Sequence, residues 1–170
     1  GNHGRDGKIP RYKGRAAHNA DTMIARLVAM QFSNVPDVSF EIPESLDTTF
    51  PIYNWQFSLE HGEERAKSCS GSAEIGALGP MVRGTNRKNN AYAAEGKELH
   101  YCVWGHFHQL MPVASRGFIA NGSVKGYDEF ARGLKLRPEP PQQALFAVTP
   151  EHGILTNTPI LLLDRASEKW

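Results

Sequence analysis

The chain has 170 residues, 40% of them hydrophobic and 22% charged, which is enough apolar material for one domain-sized core and too much for a chain disordered by composition. Nineteen Lys and Arg stand against eighteen Asp and Glu, a net charge of +1, which excludes a histone-like protein, a strongly acidic tail and any general affinity for polyanions. No run approaches the roughly 18 apolar residues of a membrane span, the polar, glycine-rich opening does not read as a secretory leader, and two cysteines, Cys69 and Cys102, at no zinc-ribbon spacing point to a reducing, cytoplasmic setting.

Residues 1–15 form a glycine-rich basic stretch, with Arg5, Lys8, Arg11, Lys13 and Arg15 against Asp6 alone. The first predicted helix covers residues 18–32. Ala20, Met23, Ile24, Leu27 and Val28 recur at three- and four-residue steps and form one apolar face. Asn19 or one of the residues just before it is the candidate N-cap, and Pro36 bars continuation. Val38, Phe40 and Ile42 alternate with polar residues, which predicts a half-buried strand.

Residues 50–53 and 55–59 read as two more strand pieces, the second running into His61-Gly62. Tyr53, Trp55 and Phe57 step by two along one face and are expected to pack as core. A helix is predicted over residues 73–83 and a helical turn or two over 91–94, separated by the polar tract 84–90, where Arg83, Arg87 and Lys88 would form a basic edge. Residues 99–104 make a strand ending at Gly105-His106-Phe107-His108, with Cys102 as a buried strand thiol. A hairpin turns about Ser115-Arg116, a short helix covers 127–132, and three prolines at 138, 140 and 141 lead into a terminal hairpin around Pro150-Glu151-His152-Gly153. The expected fold is mixed α/β. Residues 1–170 are read as a single, partial domain, with 138–170 as a C-terminal hairpin extension.

Three motifs carry chemistry: Gly1-Asn2-His3-Gly4-Arg5, His61-Gly62 and Gly105-His106-Phe107-His108. The last two lie at the ends of predicted strands, where side chains from distant parts of an α/β chain converge on one cleft. Imidazoles bind borderline divalent metals, and an Asn oxygen adds a neutral hard ligand. If His106 and His108 continue an extended strand, both imidazoles point to the same side, because side chains alternate with period two. They can then serve one metal or two adjacent ones. His18, His100 and His152 have no partners in this pattern and read as structural.

In this order, Gly1-Asn2-His3, His61-Gly62 and Gly105-His106-Phe107-His108 resemble the second half of the calcineurin-like metallophosphoesterase signature, over residues 1–126. Asn121-Gly122-Ser123 is similar to a turn that members often carry there, and the basic run after His3 is similar to phage-type and nuclease-type members. The resemblance implies an α/β fold of mixed sheets packed face to face and flanked by helices, of which this chain would be the C-terminal portion. It implies a hydrolase of phosphate esters, a phosphodiesterase or nuclease using a hydroxide activated by two divalent metal ions. Manganese is the expected metal, and iron, zinc or nickel suit the same ligands. By the same carry-over Asn2, His61 and His106 ligate the second metal and His108 the first. His3 stabilises the phosphoryl oxygens or assists the leaving group, and Arg5 contacts substrate phosphate. The implied partner is a phosphoester such as DNA or a nucleotide, with no membrane.

The family's Asp-x-His and Gly-Asp-x-x-Asp motifs do not occur in the sequence. The second metal would keep three of its ligands and the first only one, so this chain alone is expected to be inactive unless the missing N-terminal half is supplied in cis or by another chain. The alternative is a non-catalytic nucleic-acid- or protein-binding domain that keeps the fold without a complete metal centre.

Overall fold

A computed structural model of the chain describes residue 4 and residues 19–62, 78–133 and 138–163. The architecture is mixed α/β, with a five-stranded mixed sheet, a two-stranded sheet and helices. The chain divides into two compact units, Gly1–Thr48 and Thr49–Trp170.

In the first unit, α1 (Ala20–Gln31) begins at the expected cap: the Asn19 side chain accepts a hydrogen bond from the Asp21 N–H at 2.9 Å, satisfying one of the orphan donors of the first turn. The apolar stripe has the predicted spacing, yet no residue of α1 is buried. The strand expected around Phe40 does not form. Asp37 sits at φ 65°, in the left-handed region, and the Phe40 ring packs against Phe32 at 5.7 Å. An alternating pattern makes a strand only when a neighbour takes its backbone bonds, and residues 38–43 join no ladder.

The second unit carries the sheet in the order β1-β2-β3-β5-β4. β1 (Asp47–Ile52) and β2 (Trp55–Glu60) are joined by Tyr53-Asn54, and so short a link permits only antiparallel pairing. Tyr53 itself is 65% exposed at φ 54°. It makes the turn, while Trp55 and Phe57 go inward. β2 then pairs in parallel with β3 (Tyr101–Trp104), which requires a crossover, and α2 (Leu78–Ala94) lies within it. β3 pairs in parallel with β5 (Phe118–Ala120). β4 (Met111–Val113) runs antiparallel to β5 on the outer edge, reached through the 3₁₀ turn at Ala114–Arg116. A short α3 (Glu129–Gly133) precedes the terminal hairpin of β6 (Gln142–Thr149) and β7 (Gly153–Leu161).

The polar tract 84–90 is part of one continuous α2. Met81, Gly84, Thr85 and Lys88 are buried at helical spacing, so the helix has an inward face written largely in polar letters. Lys88 is only 4% exposed and pairs with Glu60 at 3.1 Å, so it belongs to the core and not to a basic edge with Arg83 and Arg87.

Two layers cover the sheet. On one face Met81 and Leu99 pack with Cys102, Trp104, Phe118 and Ala120, and the Trp104 and Phe118 rings stack at 5.9 Å. On the other, Phe57 is fully buried among Phe50, Tyr101 and Phe146 at ring separations of 5.7, 4.9 and 6.1 Å. Phe146 belongs to β6, and the hairpin is further held by the Trp55 indole N–H donating to the Thr149 carbonyl at 2.9 Å and the Ile154 N–H donating to the Tyr101 hydroxyl at 3.3 Å. Burying each large apolar side chain contributes about 1.5–3 kcal/mol.

The hairpin also docks on the loop after β5. The Asn121 side chain donates to the Gln143 side-chain oxygen at 2.6 Å and accepts from the Ala144 N–H at 2.8 Å. Beside it a Cβ on Gly122 would overlap the Gln142 carbonyl oxygen and lie 2.9 Å from Gln142 Cγ. Gly122→Ala is therefore expected to lower stability by about 1–3 kcal/mol. Gly133→Ala, with nothing within 4 Å of the new methyl, should leave the urea midpoint nearly unchanged. Equal midpoints for the two variants would mean that β6 does not need this close approach. Among the described residues no helix is long and apolar enough to cross a membrane.

Candidate metal centre

Parallel pairing brings three strand ends to one level. Glu60 is opposite Trp104, and Trp104 is opposite Ala120. The next residues, His61, Gly105 and Asn121, therefore leave the same edge of the sheet side by side. This is the edge where α/β folds assemble their sites.

His61 and His106 meet there. His61 Nε2 lies 3.2 Å from His106 Nδ1, with ring centroids 4.9 Å apart and planes 76° to one another. Both residues are half-buried. The approach depends on irregular backbone on each side. Gly62 has φ 96°, and a Cβ there would lie 3.4 Å from the Phe107 ring and 3.7 Å from His106 Cβ. After β3 the chain makes a three-residue turn in which the Phe107 N–H donates to the Gly105 carbonyl at 2.8 Å, with His106 at its centre and φ 66°. His108 follows at φ 57°. Left-handed backbone at non-glycine residues costs about 1–3 kcal/mol each, and it accumulates where a side chain must be aimed.

This turn revises the extended-strand expectation. The ladder ends at Trp104 and the period-two rule lapses with it, so His106 and His108 do not share a strand face. His108 is exposed and lines a pocket with Phe107, Lys125, Tyr127, Asp128 and Glu139. Asn2, His3 and Arg5 lie outside the described residues, so the structure brings together two of the sequence-derived site residues, His61 and His106. Among the described residues no group of three or more His, Cys, Asp or Glu side chains is disposed to hold a metal ion.

The geometry of the pair nevertheless suits a divalent cation. With metal–nitrogen distances of about 2.0–2.1 Å, two imidazole nitrogens bound at angles between octahedral and tetrahedral lie roughly 2.9–3.4 Å apart. The observed 3.2 Å falls inside that range. It is equally a distance at which one nitrogen donates its proton to the other. Either way the two lone pairs cannot face one another bare.

The other histidine in this part of the chain is structural, as expected. His100 Nδ1 accepts from the Gln56 N–H at 3.0 Å, and its ring packs edge-on to Trp55 at 5.1 Å. Asn121, in the turn that resembled the family's, has its side chain committed to β6. Sequence reasoning missed the buried Glu60–Lys88 pair, whose carboxylate precedes His61 by one residue. A Glu ending a strand one residue before a candidate ligand is the only sequence signal for it. Phe107 was also missed as a wall: its ring stands edge-on to His106 at 5.4 Å.

No protein-family model matches the chain, and neither a curated protein nor a solved structure matches it.

Proposed function

We propose that His61 Nε2 and His106 Nδ1 hold a divalent metal ion, most suitably manganese, and that this ion belongs to a phosphoester-hydrolysing centre of the calcineurin-like kind. The observation that carries the reading is the 3.2 Å approach of two imidazole nitrogens from adjacent parallel strand ends, fixed by a left-handed turn. When bound, the ion supplies Lewis-acid stabilisation of the charge that develops on a phosphoryl group. The residues described here bind and orient it: the turn at His106 aims Nδ1, Gly62 lets the two loops close, and Phe107 excludes water from one side of the His106 ring.

In this reading Asn2 is the third protein ligand of that ion, His108 contributes to a second, His3 assists phosphoryl transfer and Arg5 meets substrate phosphate. The carboxylates of a two-metal site come from outside these residues, in cis or from another chain, and the sheets facing one another across Phe57 correspond to the layers of that fold. The substrate is a phosphodiester such as DNA or a nucleotide, handled in the reducing cytoplasm. A second reading, a binding domain in which His61 and His106 merely share a proton, is favoured by the want of a third ligand among the described residues.

Titrating the full chain with manganese in a calorimeter separates the two. The expected result is one ion per chain, with affinity falling about tenfold or more, roughly 1.4 kcal/mol, in His61→Ala and in His106→Ala. No binding by the unsubstituted chain, or equal binding by both variants, would leave the shared-proton reading in place.

A further inference from the structure

Proline has no N–H to give to a ladder, so a sheet tolerates it only where its nitrogen faces an outer edge. Each proline in a strand of this fold lies in an outermost strand. Pro51 is in β1 and Pro112 in β4, the two ends of the five-stranded sheet. Pro159 is in β7, which among the described residues pairs with β6 alone. β2, β3, β5 and β6 contain none. The second edge of β6 is taken up by the loop after β5: the Gln142 N–H donates to the Ser123 carbonyl and the Ala144 N–H to the Asn121 side chain.

The hydrogen bonds fix where two of these nitrogens point, because the backbone groups of successive strand residues alternate between its two edges. In β5 the Gly117 carbonyl accepts from Cys102 and the Asn121 N–H donates to Trp104, so Ile119 also faces β3 and not β4. Pro112 is opposite Ile119, and its nitrogen therefore points away from β5. In β6, Gln142 and Ala144 turn their N–H groups away from β7. Their opposite residues, Leu161 and Pro159, turn away from β6 in the same way, and Asn157 follows by alternation. The outer edge of β7 thus offers N–H groups at Asn157 and Leu161 with a proline ring between them. A bulge disturbs the same strand: Ala147 is opposite Thr156 and Val148 opposite Ile154, which leaves Leu155 outside the ladder.

β7 is the longest of the three strands at nine residues, and Leu155, Ile160 and Leu161 are exposed on it. A long apolar edge is a template for another strand. A second copy of the chain fits it, since an antiparallel pair of β7 strands joins the same edge of both chains. The register that uses the Asn157 and Leu161 N–H groups of each copy sets Pro159 against its own counterpart, where neither ring has a donor to give. We infer that the outer edge of β7 is a pairing surface for a second copy of this chain and that Pro159 holds it shut, as Pro51 and Pro112 blunt the other two outer strands. The inference does not depend on the metal centre.

Sedimentation velocity of the full chain over a concentration series tests it. Pro159→Ala and Pro159→Thr each restore the donor without touching the bonds between β6 and β7. Both should dimerise with a dissociation constant at least about tenfold below that of the unsubstituted chain. Amide exchange at Asn157 and Leu161 should slow as the dimer forms. Thr158→Val, which adds apolar surface and keeps the ring, should associate no more than the unsubstituted chain. In that unsubstituted chain the two amides should exchange fast at every concentration, a readout that needs no variant to fold. Unchanged association in both Pro159 variants, equal association in Thr158→Val, or slow exchange at Asn157 and Leu161 with proline in place would each overturn the inference.

Discussion

Substituting methionine for Lys88 is expected to destabilise the fold by about 3–5 kcal/mol. Lys88 and Glu60 side chains are 3% and 10% exposed and 3.1 Å apart, so the two opposite charges lie together, out of water. Methionine nearly preserves the volume and the flexible stem. The loss would come from leaving the Glu60 carboxylate buried without its cation. Glu60→Leu alone strands the ammonium in the same way. The double variant Lys88→Met, Glu60→Leu should recover most of the loss, because well-packed apolar replacements of a buried ion pair are often neutral or better. Urea unfolding of the four chains gives the coupling directly. Single effects that simply add would mean the two charges do not rely on each other.

Phe57→Ala is expected to cost about 3–5 kcal/mol through the cavity it leaves. Phe57 has no exposed surface and touches rings from β1, β3 and β6, so its removal loosens the sheet and the hairpin at one point. The loss should come with faster amide hydrogen exchange along β6, whose packing against the sheet includes Phe146. Phe57→Leu, which keeps most of the volume, should show a smaller fall. A loss below about 1 kcal/mol in the alanine variant, outside the usual range for buried aromatics, would show that the hairpin docks without this contact.

The sequence disclosed the parts of the fold that follow from local rules. Asn19 announced a cap, residues 99–104 announced a strand, and the runs on either side of Ser115-Arg116 announced the antiparallel pair of β4 and β5. The pattern failed where burial and polarity part company. Thr85 and Lys88 occupy the inward face of α2, so a polarity-based reading broke one helix into two. The alternation around Phe40 failed for the opposite reason: the pattern was right and no partner strand met it. At the site, the logic of parallel strand ends was enough to put His61 and His106 in one place. It could not foresee that His106 and His108 lie beyond the ladder, because a left-handed turn leaves no periodic trace in the residues that form it. That Asn121 serves as a clasp was equally hidden, since its partners Gln143 and Ala144 are over twenty residues away in sequence.

The backbone at positions 106 and 108 carries a consequence for how this sequence could drift. Glycine at either site would relax the chain, and asparagine would be tolerated there more readily than histidine. Random substitution screened only for folding would therefore tend to erase both imidazoles. On the proposed metal-centre reading, stability and metal affinity are set against each other at the same two residues. A selection that demands both at once should keep histidine at 106 and 108 and gather its gains elsewhere, on surfaces the site does not touch.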